Sequence, residues 1–127
     1  MSRARIIVPI LLLLISTVAD ADRQTVLEHY AAAAKTAPSV SRGQSLWNRP
    51  GASGRDCSQC HGSDLRQPGR HQRTRKPIEP MAPSVNPKRF TDIRKVEKWF
   101  KRNCKWTWGR ECTAQEKADL LAWLNTL

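Results

Sequence analysis

Several features that would give a small cysteine-containing chain an easy explanation are missing from this sequence. No second C-x-x-C or H-x3-H pair accompanies Cys57-Ser58-Gln59-Cys60, so a structural zinc site, which needs two ligand pairs of similar spacing, lacks half of its ligands. No strand precedes the motif. The segment from Arg49 to Asp56 is turn-rich, and the βαβ surroundings of a thioredoxin-type dithiol are absent. No stretch alternates convincingly enough to require a strand, which leaves an all-α class. No apolar run reaches the ~20 residues that cross a bilayer; the run from Ile6 to Val18 holds about thirteen, with one proline. Acidic side chains number 11 against 22 Lys and Arg, and no nucleic-acid recognition motif accounts for the excess.

What is present begins at the N-terminus. Arg3 and Arg5 form a positive n-region, Ile6 to Val18 an apolar h-region, and Ala19-Asp20-Ala21 an A-x-A cleavage site. Residues 1–21 therefore read as a secretory signal peptide, and residues 22–127 as one exported domain without a membrane span. The formal charge is +11, and removing Arg3, Arg5 and Asp20 lowers it by one, to +10. Such a surface attracts anionic partners and speeds encounter with them. In an exported protein the fitting partner is an acidic protein and not nucleic acid.

Four helices are expected in the mature chain. Asp22 to Ala37 is helix-forming up to Pro38. Ser39 to Trp47 places Val40, Gly43, Leu46 and Trp47 on one face, and a close helix crossing would justify Gly43, which costs a helix about 1 kcal/mol against alanine. A third helix starts near Thr91, with Ile93, Val96, Trp99 and Phe100 as its apolar positions; the spacing from Val96 puts Asn103 on the same, buried face. Lys105 to Glu111 make a short connection. Thr113-Ala-Gln-Glu116 is a capping box that opens the last helix, whose apolar side is Leu120, Leu121, Trp123, Leu124 and Leu127. Residues 62–90 show neither periodicity. A loop so long needs something to wrap around. Its basic residues Arg66, Arg70, Arg73, Arg75 and Lys76 read as a solvated face, with one or two left for anionic groups of whatever the loop wraps.

The chain is organised around Cys57-Ser58-Gln59-Cys60-His61, which reads C-x-x-C-H, the attachment site of a c-type haem. Two thiols three positions apart reach the two vinyl groups of one porphyrin, and His61 is held beneath the iron as its proximal ligand. The cofactor is thus one covalent haem c. Its attachment occurs outside the bacterial inner membrane, in agreement with export to the periplasm. For the opposite face of the iron the candidates are Met81, Asn103 and a histidine, His29 or His71. A thioether from Met81 gives a low-spin electron carrier of raised potential. An amide oxygen from Asn103 is a hard, weak ligand that suits ferric iron better than ferrous, and Trp99 and Phe100 beside it would keep the haem pocket dry.

The order of helix, C-x-x-C-H loop, proline-rich loop, helix and Leu120-Leu-Ala-Trp-Leu124 resembles a class I cytochrome c. In that fold the first and last helices cross at a glycine and an aromatic, places that Gly43, Trp47 and Trp123 fit. A narrower resemblance covers Pro80 to Thr91, Val96 to Cys104 and Arg110 to Lys117, which look like the SHP family of oxygen-binding, high-spin cytochromes c. That resemblance implies Asn103 as the distal ligand, directly before the first of two disulfide-bonded cysteines, Cys104 and Cys112; an oxidising compartment agrees with the pairing. It also implies that Asn103 leaves the iron on reduction so that a diatomic gas (oxygen, nitric oxide or carbon monoxide) can bind, and that a dihaem c-type cytochrome supplies the electron. No distal general acid or base is evident apart from His71, so turnover of oxygen or nitric oxide as an oxidoreductase is left open, and no catalytic residue is assigned.

Overall fold

The computed structural model describes residues 17–127. Most of the predicted signal peptide, residues 1–16, lies outside the described residues. Helix α1 spans Val18–Ala31, α2 Val40–Trp47, α3 Ser58–His61, α4 Ile93–Trp108 and α5 Ala114–Leu124. Among the described residues the only strands are β1, Gly69–Arg70, and β2, Pro77–Ile78, an antiparallel ladder with Gly69 opposite Ile78. Two residues per strand are too few to leave an alternating pattern, so this hairpin had no signature. Among the described residues no helix is long and apolar enough to cross a membrane.

Local chemistry fixes the helix ends. Ser39 caps α2 by accepting from the Arg42 N–H, and Thr113 caps α5 with Glu116 completing the expected capping box. Asp92, not Thr91, caps α4 and accepts from the N–H groups of Arg94 and Lys95. Two expected ends move. Helix α1 stops at Ala31, short of Pro38: Ala33 and Ala34 bond three residues back, and the Thr36 N–H donates to the Gln115 side chain on α5. Helix α4 runs on through Lys105 to Trp108 and ends at Gly109, whose φ of 73° is the left-handed conformation that closes helices.

The α2–α5 crossing is a backbone-to-backbone contact. A Cβ on Gly43 would stand 1.9 Å from the Asp119 carbonyl oxygen, so only glycine fits there. Trp47 and Trp123 pack beside it with ring centroids 5.5 Å apart. The crossing is also tied by Asp119, 2 % exposed, which accepts from the Ser39 N–H and the Arg42 guanidinium. Two apolar clusters result. Val26, Tyr30, Val96, Ala118 and Leu121 join α1, α4 and α5; Leu46, Trp47, Leu65, Leu120 and Leu124 join α2, the following loop and α5. Phe90 and Phe100 pack against both, so the proline-rich loop and α4 share one continuous core.

Candidate haem-attachment site

Asp56 opens the attachment turn. Its carboxylate accepts from the Ser58 hydroxyl and the Gln59 N–H, which starts the single turn α3, and Gly62 at φ 80° ends it. One helical turn sets Cys57 and Cys60 on the same side, with His61 next in sequence. Three further contacts seat the turn. The Cys57 N–H donates to the Trp47 carbonyl at 3.3 Å, the Trp47 and His61 rings lie 5.2 Å apart, and the Gln72 N–H donates to Cys60 Sγ at 3.4 Å. Gly69 on β1 is required here, because a Cβ would meet the Cys60 oxygen at 2.3 Å and the His61 Cα at 2.8 Å.

Burial sets the protonation of this turn. His61 is held down to about 4, by burial first and by the nearby Arg89 guanidinium second, so its imidazole is neutral, the form that binds iron. Its Nδ1 is buried without a hydrogen-bond partner. Cys57 is pushed up to about 12, chiefly by burial and then by the charges of Asp56 and Cys60. It is therefore a thiol and not a thiolate, suited to becoming an uncharged thioether. Both motif cysteines are free, whereas Cys104 and Cys112 are disulfide-bonded, with Cα atoms 5.6 Å apart. The second cysteine pair is thus unavailable to zinc, and among the described residues no group of three or more His, Cys, Asp or Glu could hold a metal ion. Free paired thiols, a neutral buried imidazole and an orphaned ring nitrogen fit a covalent haem c on Cys57, Cys60 and His61.

On α4 the outcome differs from the periodicity argument. Val96, Cys104 and Thr107 are buried and Phe100 half-buried, but Asn103 is exposed and Trp99 is 48 % exposed. At about 100° per residue Asn103 lies only ~20° from Val96. It lies on the side away from Phe100 and Cys104, and the packing of α1 and α5 buries the arc in the other direction. Asn103, Trp99 and Trp106 thus form one edge of α4, where Lys98 and Arg102 stand over the Trp99 ring at 5.4 and 5.5 Å. The hairpin tip crosses this edge. His71 packs 5.5 Å from the Trp106 ring and Arg55 lies 3.8 Å above it. Since His71 Nδ1 accepts from the Arg73 and Thr74 N–H groups, only its Nε2 can carry the proton of the neutral ring.

The remaining ligand candidates are placed elsewhere. Met81 packs with the Leu46–Trp47–Leu65 cluster, and the Met81 and Ala82 N–H groups both donate to the Leu65 carbonyl. His29 is exposed on α1 against Tyr30. The structure thus joins the attachment turn, Trp47, the hairpin and Met81 on one side. Phe100 reaches the same cluster from α4, and no hydrogen bond or ring contact links Asn103 or Trp99 to His61 among the described residues. Sequence reasoning missed the half-buried Arg89, which carried no periodic or motif signal within the long loop.

Comparison with known proteins agrees with this site. A family model described as a domain of unknown function (DUF1924) matches residues 33–124. The cytochrome c-type protein SHP of Cereibacter sphaeroides is 44 % identical over 109 residues, 83 % of this chain and 84 % of that protein. The solved structure of oxidised SHP, an oxygen-binding cytochrome c, superposes with a TM-score of 0.77 at 43 % identity, covering 83 % of this chain and 96 % of that one. A solution structure of cytochrome c'' from Methylophilus methylotrophus, described for the structural basis of haem-ligand detachment, gives 0.71 at 35 % identity over 84 % of this chain and 94 % of that one. Fold and site together define a monohaem c-type cytochrome of helical, class I-like architecture. The chain belongs to the family of SHP-type cytochromes c, and over residues 33–124 to DUF1924.

Proposed function

We propose that the protein is an exported, periplasmic cytochrome that accepts one electron and then binds a diatomic gas (oxygen, nitric oxide or carbon monoxide) at ferrous haem once Asn103 has left the iron. The observation that carries this reading is the placement of Asn103 on an exposed aromatic edge of α4, immediately before the disulfide-bonded Cys104. It is supported by the oxygen binding of SHP and the haem-ligand detachment described for cytochrome c''. The haem supplies the one-electron couple and the gas site. Cys57 and Cys60 would fasten it, and His61 would supply a neutral imidazole to its iron. Asn103 would offer its amide oxygen to ferric iron and release ferrous iron, because a hard neutral oxygen binds the less charged iron weakly. The disulfide limits the travel of Asn103, and Trp99 and Phe100 border the pocket. The alternative is Met81, which packs against the cluster that also holds Trp47 and Cys57.

Export fits the packing of α1. A cut after Ala21 falls inside the helix, yet its buried residues, Val26 and Tyr30, lie beyond it, and Val18 is 80 % exposed. The +10 mature charge, from the +11 of the full chain, favours an acidic electron donor, for which a dihaem c-type cytochrome is the fitting class. The test is Asn103→Ala: the ferric spectrum should change from that of the wild type while Met81→Leu leaves it unaltered. The opposite pattern establishes a His61/Met81 electron carrier and ends the proposal.

A further inference from the structure

Among the described residues Arg55 and Arg89 are the half-buried arginines outside any ion pair, and Arg55 lies over the Trp106 ring. Arg89 sits in the loop that follows Met81. Its guanidinium donates instead to backbone carbonyls, to Pro80 at 2.8 Å and Glu79 at 2.6 Å, and Asn86 Nδ2 donates to the same Pro80 oxygen at 3.2 Å. The carbonyls it grips belong to the segment that Met81 and Ala82 fasten to Leu65, four residues after His61. The next residue, Phe90, adopts a φ of 62°, a strained conformation for a bulky side chain. The kink sends Phe90 into the cluster that also holds Trp47 and Cys57. Arg89 is thus a half-buried cation with no carboxylate partner, held by backbone carbonyls next to a residue that packs with Cys57 and Trp47 of the attachment region.

We infer that Arg89 is a positioning residue that raises the reduction potential, a fixed positive charge beside the attachment turn that would favour the ferrous over the ferric state of the haem held there. The inference rests on His61 as an iron ligand. Reduction transfers one electron from the redox partner to ferric haem and lowers the charge of the centre by one, so a cation held nearby in a poorly screened site favours the product. In a protein that binds gas only when reduced, this charge decides how much of the population is competent at a given ambient potential.

The test is a redox titration of the holoprotein at constant pH and salt. Arg89→Gln retains a side-chain donor and removes the charge; it should lower the electron affinity about tenfold or more, a fall of ~59 mV or more for a one-electron couple. Arg89→Lys, which keeps the charge and loses the fork, should stay near the wild type. An unchanged potential in Arg89→Gln, or equal falls in both variants, overturns the inference and leaves Arg89 a loop fastener. If Arg89→Gln does not accumulate with haem, Glu79→Gln provides the reverse arm. It removes the carboxylate whose charge opposes that of Arg89 and should raise the potential; no change overturns the inference. The Asn103→Ala spectrum separates the two readings, since it tests distal ligation and is independent of the potential set beside the attachment turn.

Discussion

Replacing Gly43 with alanine opposes two effects of known size. Alanine improves an isolated helix by about 1 kcal/mol. In this fold its Cβ would stand 1.9 Å from the Asp119 carbonyl oxygen, 2.6 Å from the Asp119 carbonyl carbon and 2.9 Å from the Trp123 Cβ. The obstacle is mostly backbone, so no rotamer change relieves it. Restoring an ordinary contact of 3.4 Å to that oxygen means a retreat of about 1.5 Å between α2 and α5. That retreat would pull Asp119 from the Ser39 N–H at 2.8 Å and open the Trp47–Trp123 contact at 5.5 Å. Overpacking costs ~1–3 kcal/mol, and this case belongs at the top of the range. A net loss of about 2 kcal/mol follows, or ~8 °C in Tm for a domain of this size. Thermal melts of the holoprotein, followed by haem absorbance and far-ultraviolet dichroism, measure it. An unchanged or raised Tm would show that propensity wins and that the crossing is looser than described.

Three further outcomes follow from the same geometry. Glu116 is pulled down to about 2, first by its hydrogen bonds to Arg110 and further by the Thr113 N–H and Arg49. A lowered carboxyl contributes stability above its ordinary value near 4.5 and loses it as pH falls toward 2. Unfolding midpoints of the wild type and Glu116→Gln should therefore converge between pH 4.5 and 2, and parallel curves would refute the pairing. Cys112→Ser opens the eight-residue span to Cys104 and should destabilise the fold by about 2.5 kcal/mol on the chain-entropy account. The same variant should alter the rate at which Asn103 rebinds after a gas ligand is photolysed; identical rebinding would reduce the disulfide to a staple.

The parts of the fold that were legible in the sequence are those written in local chemistry. Ser39 and the Thr113–Glu116 box mark helix starts because caps need particular side chains at fixed offsets. Gly43 marks a crossing because nothing else explains a glycine in mid-helix. A haem c was legible because the C-x-x-C-H spacing fixes three residues in five. What was not legible depends on partners distant in sequence. The end of α1 is set by Thr36 meeting Gln115, and Asn103 is exposed because α1 and α5 choose which arc of α4 to bury. The long loop is held by backbone bonds, among them Met81 and Ala82 to Leu65 and Ser84 to Leu127, which leave no side-chain signature. Arg89 was hidden for the same reason, since its acceptors are carbonyls.

The central claim is that the distal position opens on reduction. The direct measurement is the optical spectrum of the dithionite-reduced holoprotein, recorded with and without carbon monoxide at neutral pH. A high-spin ferrous spectrum that converts to a low-spin carbon monoxide complex at stoichiometric gas is expected. A low-spin ferrous spectrum that carbon monoxide leaves unchanged would contradict the claim, and would return the protein to the ordinary electron carriers.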